Sequence, residues 1–129
     1  MENMEEVLEI KTTSKNFYYE YLLLKQPLLE TILSKVNGKK ITLSPKILKV
    51  FSILLYYNSL SENNSDLINE IVKRDIMDQV NIKESHLNTY LSVLRNIKIL
   101  NKNSINKPFM VYPGKEFQLT YRFILNGHE

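Results

Sequence analysis

Apolar residues recur at spacings of three and four from Ser14 onward. Phe17, Tyr21, Leu24, Leu28, Ile32 and Val36 form a single stripe, which predicts a helix. Pro27 falls inside it. A proline donates no backbone hydrogen bond and crowds the preceding turn, so a kink or a fresh start is expected there. Asn37-Gly38 stops the helix. Ser44 is a good N-cap and Pro45 suits the first helical position. Ile47, Leu48, Phe51, Leu54, Leu55 and Asn58 then carry a second helix ending near Tyr57. The stretch SLSENNSD is a loop by composition. Residues 66–80, DLINEIVKRDIMDQV, read as mostly helical, with a short strand at Glu70-Ile71-Val72 as the alternative.

Asn81 is a bend, because Asn tolerates the left-handed backbone better than most residues after Gly. Ile82 follows as an apolar plug, and Lys83 to Ser85 open a further helix. Leu87, Leu91 and Leu94 are its apolar positions. Beyond it, ILNKN, FMVY and FQLTYRFIL look like strands, punctuated by Ser104 to Pro108 and by Pro113-Gly114. Residues 1–14 read as a polar leader.

Composition narrows the function. Hydrophobic residues make up 43% of 129 positions, enough for one domain with a core. No apolar run approaches the roughly 20 residues of a membrane span. The start, MENMEEVLEI, is acidic where a secretory signal is basic, and cysteine is absent, so a cytoplasmic protein without disulfides is expected. The net charge of +3 is unevenly spread. Residues 1–30 carry six Glu against three Lys, and the remainder holds a balance of +6. A basic body points to a polyanionic partner. Gly occurs only at 38, 114 and 127 and His only at 86 and 128. No phosphate-cradling loop, metal cluster or catalytic constellation can be assembled from these, and neither an enzyme nor a cofactor is expected.

The segment NIKESHLNTYLSVLRNIKIL, 81–100, sets small hydrogen-bonding side chains where other helices of this chain use Lys and Glu. Together with the residues before it, DIMDQVNIKESHLNTYLSVLRNIKIL resembles the helix-turn-helix of the winged helix-turn-helix superfamily. The family's apolar positions fall on Ile76 and Val80, its bend on Asn81, its plug on Ile82, its third helix on Leu87, Leu91 and Leu94, and the lead into the wing on Ile99-Leu100. Two positions depart: Met77 stands where the family has a small residue, and Lys98 where Gly is usual. Within the superfamily, GKKITLSPKILKVFSILLYYN and FMVYPGKEF are loosely similar to small plasmid replication initiators.

The resemblance implies an α+β fold. A three-helix core and an antiparallel β-wing would occupy residues 41–129, behind a leader and helical arm at 1–40. It also implies sequence-specific binding of double-stranded DNA, as a transcriptional regulator or a plasmid or phage replication initiator. The third helix would enter the major groove, where base edges are read by hydrogen-bonding side chains. Ser85, His86, Asn88, Thr89 and Ser92 are the candidates for that face. Lys73, Arg74, Lys83, Lys98, Lys102 and Lys107 are placed to neutralise phosphates. Winged helices often pair, and Phe17, Tyr21, Leu24 and Leu28 of the arm are the candidate homodimer interface. The competing reading is a winged-helix protein-interaction module, an adaptor, inhibitor or virion component. The low charge of residues 84–94 favours that rival.

Overall fold

A computed structural model describes residues 9–60, 66–112 and 124–125. The order of elements is α1 (Ser14–Asn37), α2 (Pro45–Leu60), α3 (Glu70–Val80), α4 (Glu84–Asn96), β1 (Leu100–Asn101) and β2 (Ser104–Ile105). Among the described residues the fold is therefore α+β: four α-helices and a small two-stranded antiparallel sheet.

Each helix starts and stops where local chemistry lets it. Thr13 caps α1, its hydroxyl accepting the Asn16 N–H at 3.1 Å. Gly38 ends the helix with φ +69°, and the space around its Cα is open, so it is backbone conformation that asks for glycine there. Ser44 accepts the Ile47 N–H at 3.2 Å, and Pro45 opens α2. Asn69 caps α3 through the Val72 N–H at 3.0 Å, which commits residues 70–72 to the helix rather than to a strand. Asn81 takes the left-handed conformation, φ 58° and ψ 56°, and turns the chain from α3 into α4.

No fresh helix starts at Pro27; α1 runs through it as one helix. The carbonyl that loses its donor belongs to Leu23, an exposed position where water can replace it. On either side of the proline, Tyr18 and Leu22 and then Leu33 are buried, so packing holds one helix across the defect.

Helix α2 is the centre of the core. Leu48, Val50, Phe51, Ile53, Leu54 and Leu55 are all buried along it. Ile76 of α3, Leu87, Leu91 and Leu94 of α4, and Ile99, Leu100 and Ile105 complete the same cluster. The arm belongs to it as well, through Tyr18, Leu22 and Leu33. The loop after α1 is stitched down by polar groups. Glu30 accepts the Leu43 N–H at 2.7 Å, Ser34 accepts the Ile41 N–H at 2.8 Å, and Gln26 donates to the Leu43 carbonyl at 3.0 Å. Asn37 donates to the carbonyl of Ile97 at 3.0 Å, tying the end of α1 to the end of α4.

The hairpin differs from the strands expected. Leu100 pairs with Ile105 and Asn101 with Ser104, so the turn is Lys102-Asn103 and Ser104 opens the second strand instead of interrupting it. Phe109 to Tyr112 form no strand; a single 3-10 turn at Lys107–Phe109 follows β2. Most of FQLTYRFIL, with Pro113-Gly114, lies outside the described residues. Lys98, in the position where glycine was expected, indeed has φ +74°, and Lys102 at the hairpin tip has φ +57°.

A left-handed backbone costs a non-glycine residue about 1–2 kcal/mol, and glycine returns part of that through the flexibility of the unfolded chain. Lys98→Gly is therefore expected to raise stability by up to about 1 kcal/mol. A urea titration would show it as a higher midpoint with an unchanged slope.

Candidate nucleic-acid interface

Helix α4 separates its two faces by side-chain type. Leu87, Leu91 and Leu94 point into the core, each 1% exposed or less. Ser85, His86, Asn88, Thr89 and Ser92 are all exposed on the other side. The Thr89 hydroxyl donates to the Ser85 carbonyl at 3.0 Å, which leaves its oxygen as an acceptor. The side chains of Ser85, His86, Asn88 and Ser92 make no hydrogen bond to another described residue. A row of donors and acceptors with no internal partner is thus offered to whatever lies outside.

The candidate cations lie at the two ends of α4 and on other elements. Lys83 precedes the first turn of α4 and is exposed; Lys98 follows its last turn and is also exposed. The helix between them has thirteen residues, roughly 20 Å at about 1.5 Å each, and its ten residues 85–94 include no Lys, Arg, Asp or Glu. Glu84 lies in the first turn as a counter-charge. Lys102 stands at the tip of the hairpin. Lys73 and Arg74 lie on α3, Arg74 exposed and Lys73 half-buried. Lys107 sits beyond β2 in the 3-10 turn, outside the hairpin itself.

Arg95 is a residue the sequence pattern did not single out. It lies in the last turn of α4, donates from Nε to the Lys102 carbonyl at 2.9 Å and from Nη2 to Asn103 Oδ1 at 3.3 Å. Asn106 donates to the Lys98 carbonyl at 2.7 Å. These bonds fix the hairpin tip against α4, so that Lys98 and Lys102 keep a set position relative to the polar face. No spacing rule marks Arg95, because its partners are hairpin backbone and a turn residue brought back by the fold.

A second polar link fixes α3. The Tyr57 hydroxyl donates to Asp75 Oδ2. This hydrogen bond, with burial and the carboxylate's charge, pushes the Tyr57 phenol up to about 12. Burial alone would push Asp75 up, but the hydrogen bonds from Tyr57 and Gln79 and the charge of Lys15 outweigh it and hold the carboxyl below its ordinary value.

The arm divides the four residues expected at an interface. Phe17 and Tyr21 are half-buried, their rings 5.7 Å apart, whereas Leu24 and Leu28 are exposed. Among the described residues no helix is long and apolar enough to cross a membrane, and no three His, Cys, Asp or Glu stand close enough to hold a metal ion. His128 lies outside the described residues. No family model, curated protein or solved structure matches the chain.

Proposed function

We propose that the protein is a sequence-specific reader of double-stranded DNA of the winged helix-turn-helix type, acting as a transcriptional regulator or a replication initiator. In this reading α2, α3 and α4 are the three-helix core, α4 is the recognition helix, and the β1–β2 hairpin is the wing. The observation that carries it is the outer face of α4: exposed, free of Lys, Arg, Asp and Glu over residues 85–92, and, apart from the Thr89 bond to the Ser85 carbonyl, without side-chain hydrogen bonds to other described residues. Side chains of that kind gain most from base edges, which present fixed donors and acceptors. Asn88 has an amide able to donate to and accept from one adenine. Lys83 and Lys98 flank α4 and Lys102 stands at the hairpin tip; they would supply affinity and register on phosphates, which are indifferent to sequence.

The second reading, a protein-interaction module, is favoured by the absence of any cation between Glu84 and Arg95 and by the shortness of the hairpin, two residues per strand.

One experiment separates them. Duplexes selected from a random pool would be titrated by fluorescence anisotropy at several salt concentrations. Under the DNA reading, Lys102→Ala weakens binding to every sequence similarly and shallows the plot of log affinity against log salt by about 0.9. Asn88→Ala leaves that slope unchanged, costs about 1–3 kcal/mol on the selected site and little on random DNA. A wild type that selects no sequence, and whose weak binding vanishes near physiological salt, would make the protein-interaction reading the correct one.

A further inference from the structure

Between the first turns of α1 and the middle of α2 lies a hollow of about 170 Å³, reached also by Gln79 of α3. Asn16, Tyr19 and Glu20 are spaced three and four residues apart and share one face of α1, with Lys15 at its edge. On α2, Lys49, Ser52, Ile53 and Tyr56 repeat that spacing. Two helix faces of mixed polarity thus line one concave site, well away from the outer face of α4.

Glu20 is the residue that the fold leaves unfinished. It interrupts the aromatic and aliphatic run FYYEYLLL at 17–24. Its Oε2 is buried and accepts no hydrogen bond, and no cation among the described residues pairs with the carboxylate. Glu30, on the same helix, shows the ordinary solution, with two N–H donors on its carboxylate. A carboxylate oxygen taken out of water calls for a donor, and nothing in the chain supplies one to Glu20. Gln79 Nε2 is buried too, and its approach to Asp75 falls short of ordinary hydrogen-bond geometry. One acceptor and one donor therefore line the same hollow unsatisfied. Lys15 and Lys49, both exposed, stand at its rim, with Lys49 Nζ 5.6 Å from the centre of the Tyr19 ring.

The charges select the occupant. A simple anion would meet the Glu20 carboxylate, and a simple cation would meet the two ammoniums. A molecule that carries both signs suits both. Size selects further, because the hollow is well below the roughly 300–1,000 Å³ of sites for drug-sized ligands. Tyr19, Ile53 and Tyr56 offer apolar surface beside the polar groups. We propose that the hollow binds a free α-amino acid, with its ammonium on Glu20, its carboxylate toward Lys15, Lys49 and the Gln79 amide, and its side chain against Tyr19, Ile53 and Tyr56.

The test is thermal unfolding of the full chain with each of the common amino acids at millimolar concentration, followed by calorimetric titration of the best. A ligand that binds only the native state raises the midpoint. The expected result is a rise with a subset of amino acids and none with the matching amine or carboxylic acid alone. In a nitrogen–proton correlation spectrum, the side-chain amide of Gln79 should move while that of Asn88 on α4 stays. Glu20→Gln keeps the shape of the side chain and removes its charge. It should weaken binding by about tenfold or more, while the urea midpoint holds or rises because the unpaired buried oxygen is gone. Lys49→Met keeps the apolar stem and should also weaken binding by about tenfold or more. If no amino acid raises the midpoint, water alone fills the hollow and the proposal is overturned. Amines that bind as well as amino acids overturn it too, as does undiminished binding by Glu20→Gln. Should Glu20→Gln fail to fold, Lys49→Met and the Gln79 resonance decide the matter. The proposal does not rest on DNA binding: an amino acid bound by a protein that selects no duplex would sustain it and leave the DNA reading to fail alone.

Discussion

Leu91→Ala is expected to lower the unfolding free energy by about 2–5 kcal/mol, the largest effect of any single change considered. Leu91 is 1% exposed, at the middle of α4, between Leu87 and Leu94, which are fully buried. Truncation removes three carbons from water-free contact and leaves a cavity. Other fully buried residues of the same core, Leu54 and Leu55 of α2 and Ile76 of α3 among them, belong to helices fixed by their own caps, so the core cannot readily close over it. A domain of this size holds only about 5–15 kcal/mol in reserve. The variant should therefore unfold at a much lower urea concentration, with the same slope if unfolding remains two-state. Below that midpoint the polar face of α4 should be unchanged, since none of its residues contributes to the core. A loss below about 1 kcal/mol would mean that α4 packs more loosely than its burial implies.

Glu30→Ala is expected to cost about 1.5–3 kcal/mol, although Glu30 is on a helix surface where such changes are usually mild. Its carboxylate accepts the Leu43 N–H at 2.7 Å and the Gln26 amide at 3.2 Å. Leu43 is only 4% exposed, so water cannot readily take over its N–H when the carboxylate is gone. Gln26 keeps the Leu43 carbonyl as its other partner. The backbone amide is therefore the group left unsatisfied. Glu30→Gln retains an acceptor oxygen and should recover more than half of the loss, which distinguishes a hydrogen bond from a charge effect. Hydrogen exchange gives the local view: the Leu43 amide should exchange much faster in Glu30→Ala, and the Ile41 amide, held by Ser34, should follow only partly.

These two residues mark the divide between what the sequence shows and what it hides. Leu91 was legible, because Leu87, Leu91 and Leu94 repeat at helical spacing and no other face of that helix competes. Gly38, Ser44-Pro45 and Asn81 were legible for a related reason: each acts on the backbone within three or four residues of itself. The arm was only half legible. Its regular stripe, Leu24 to Val36, is the exposed one, and the buried side uses Tyr18, Leu22 and Leu33, where periodicity is weaker. The fresh start allowed for at Pro27 is absent because the local rule takes no account of burial on both sides of it. The hairpin was misplaced because its turn contains no glycine; Lys102 adopts the left-handed backbone instead. Glu30 and Arg95 were invisible, since their partners are backbone groups brought near by the fold, 13 and 7 residues away.

Three bends, at Asn81, Lys98 and Lys102, hold positive φ without glycine. In the genetic code, lysine and asparagine codons begin with two adenines and glycine codons with two guanines. A single nucleotide change takes a lysine codon to arginine, glutamate or asparagine, and of these asparagine alone is at ease in a left-handed bend. Glycine is reached only by a second change. The chain as a whole lacks alanine and has three glycines, the two residues whose codons start with G and continue with C or G. Asparagine, the residue already at the Asn81 bend, would therefore relieve part of the strain at Lys98 or Lys102 one nucleotide away, and glycine the rest at two.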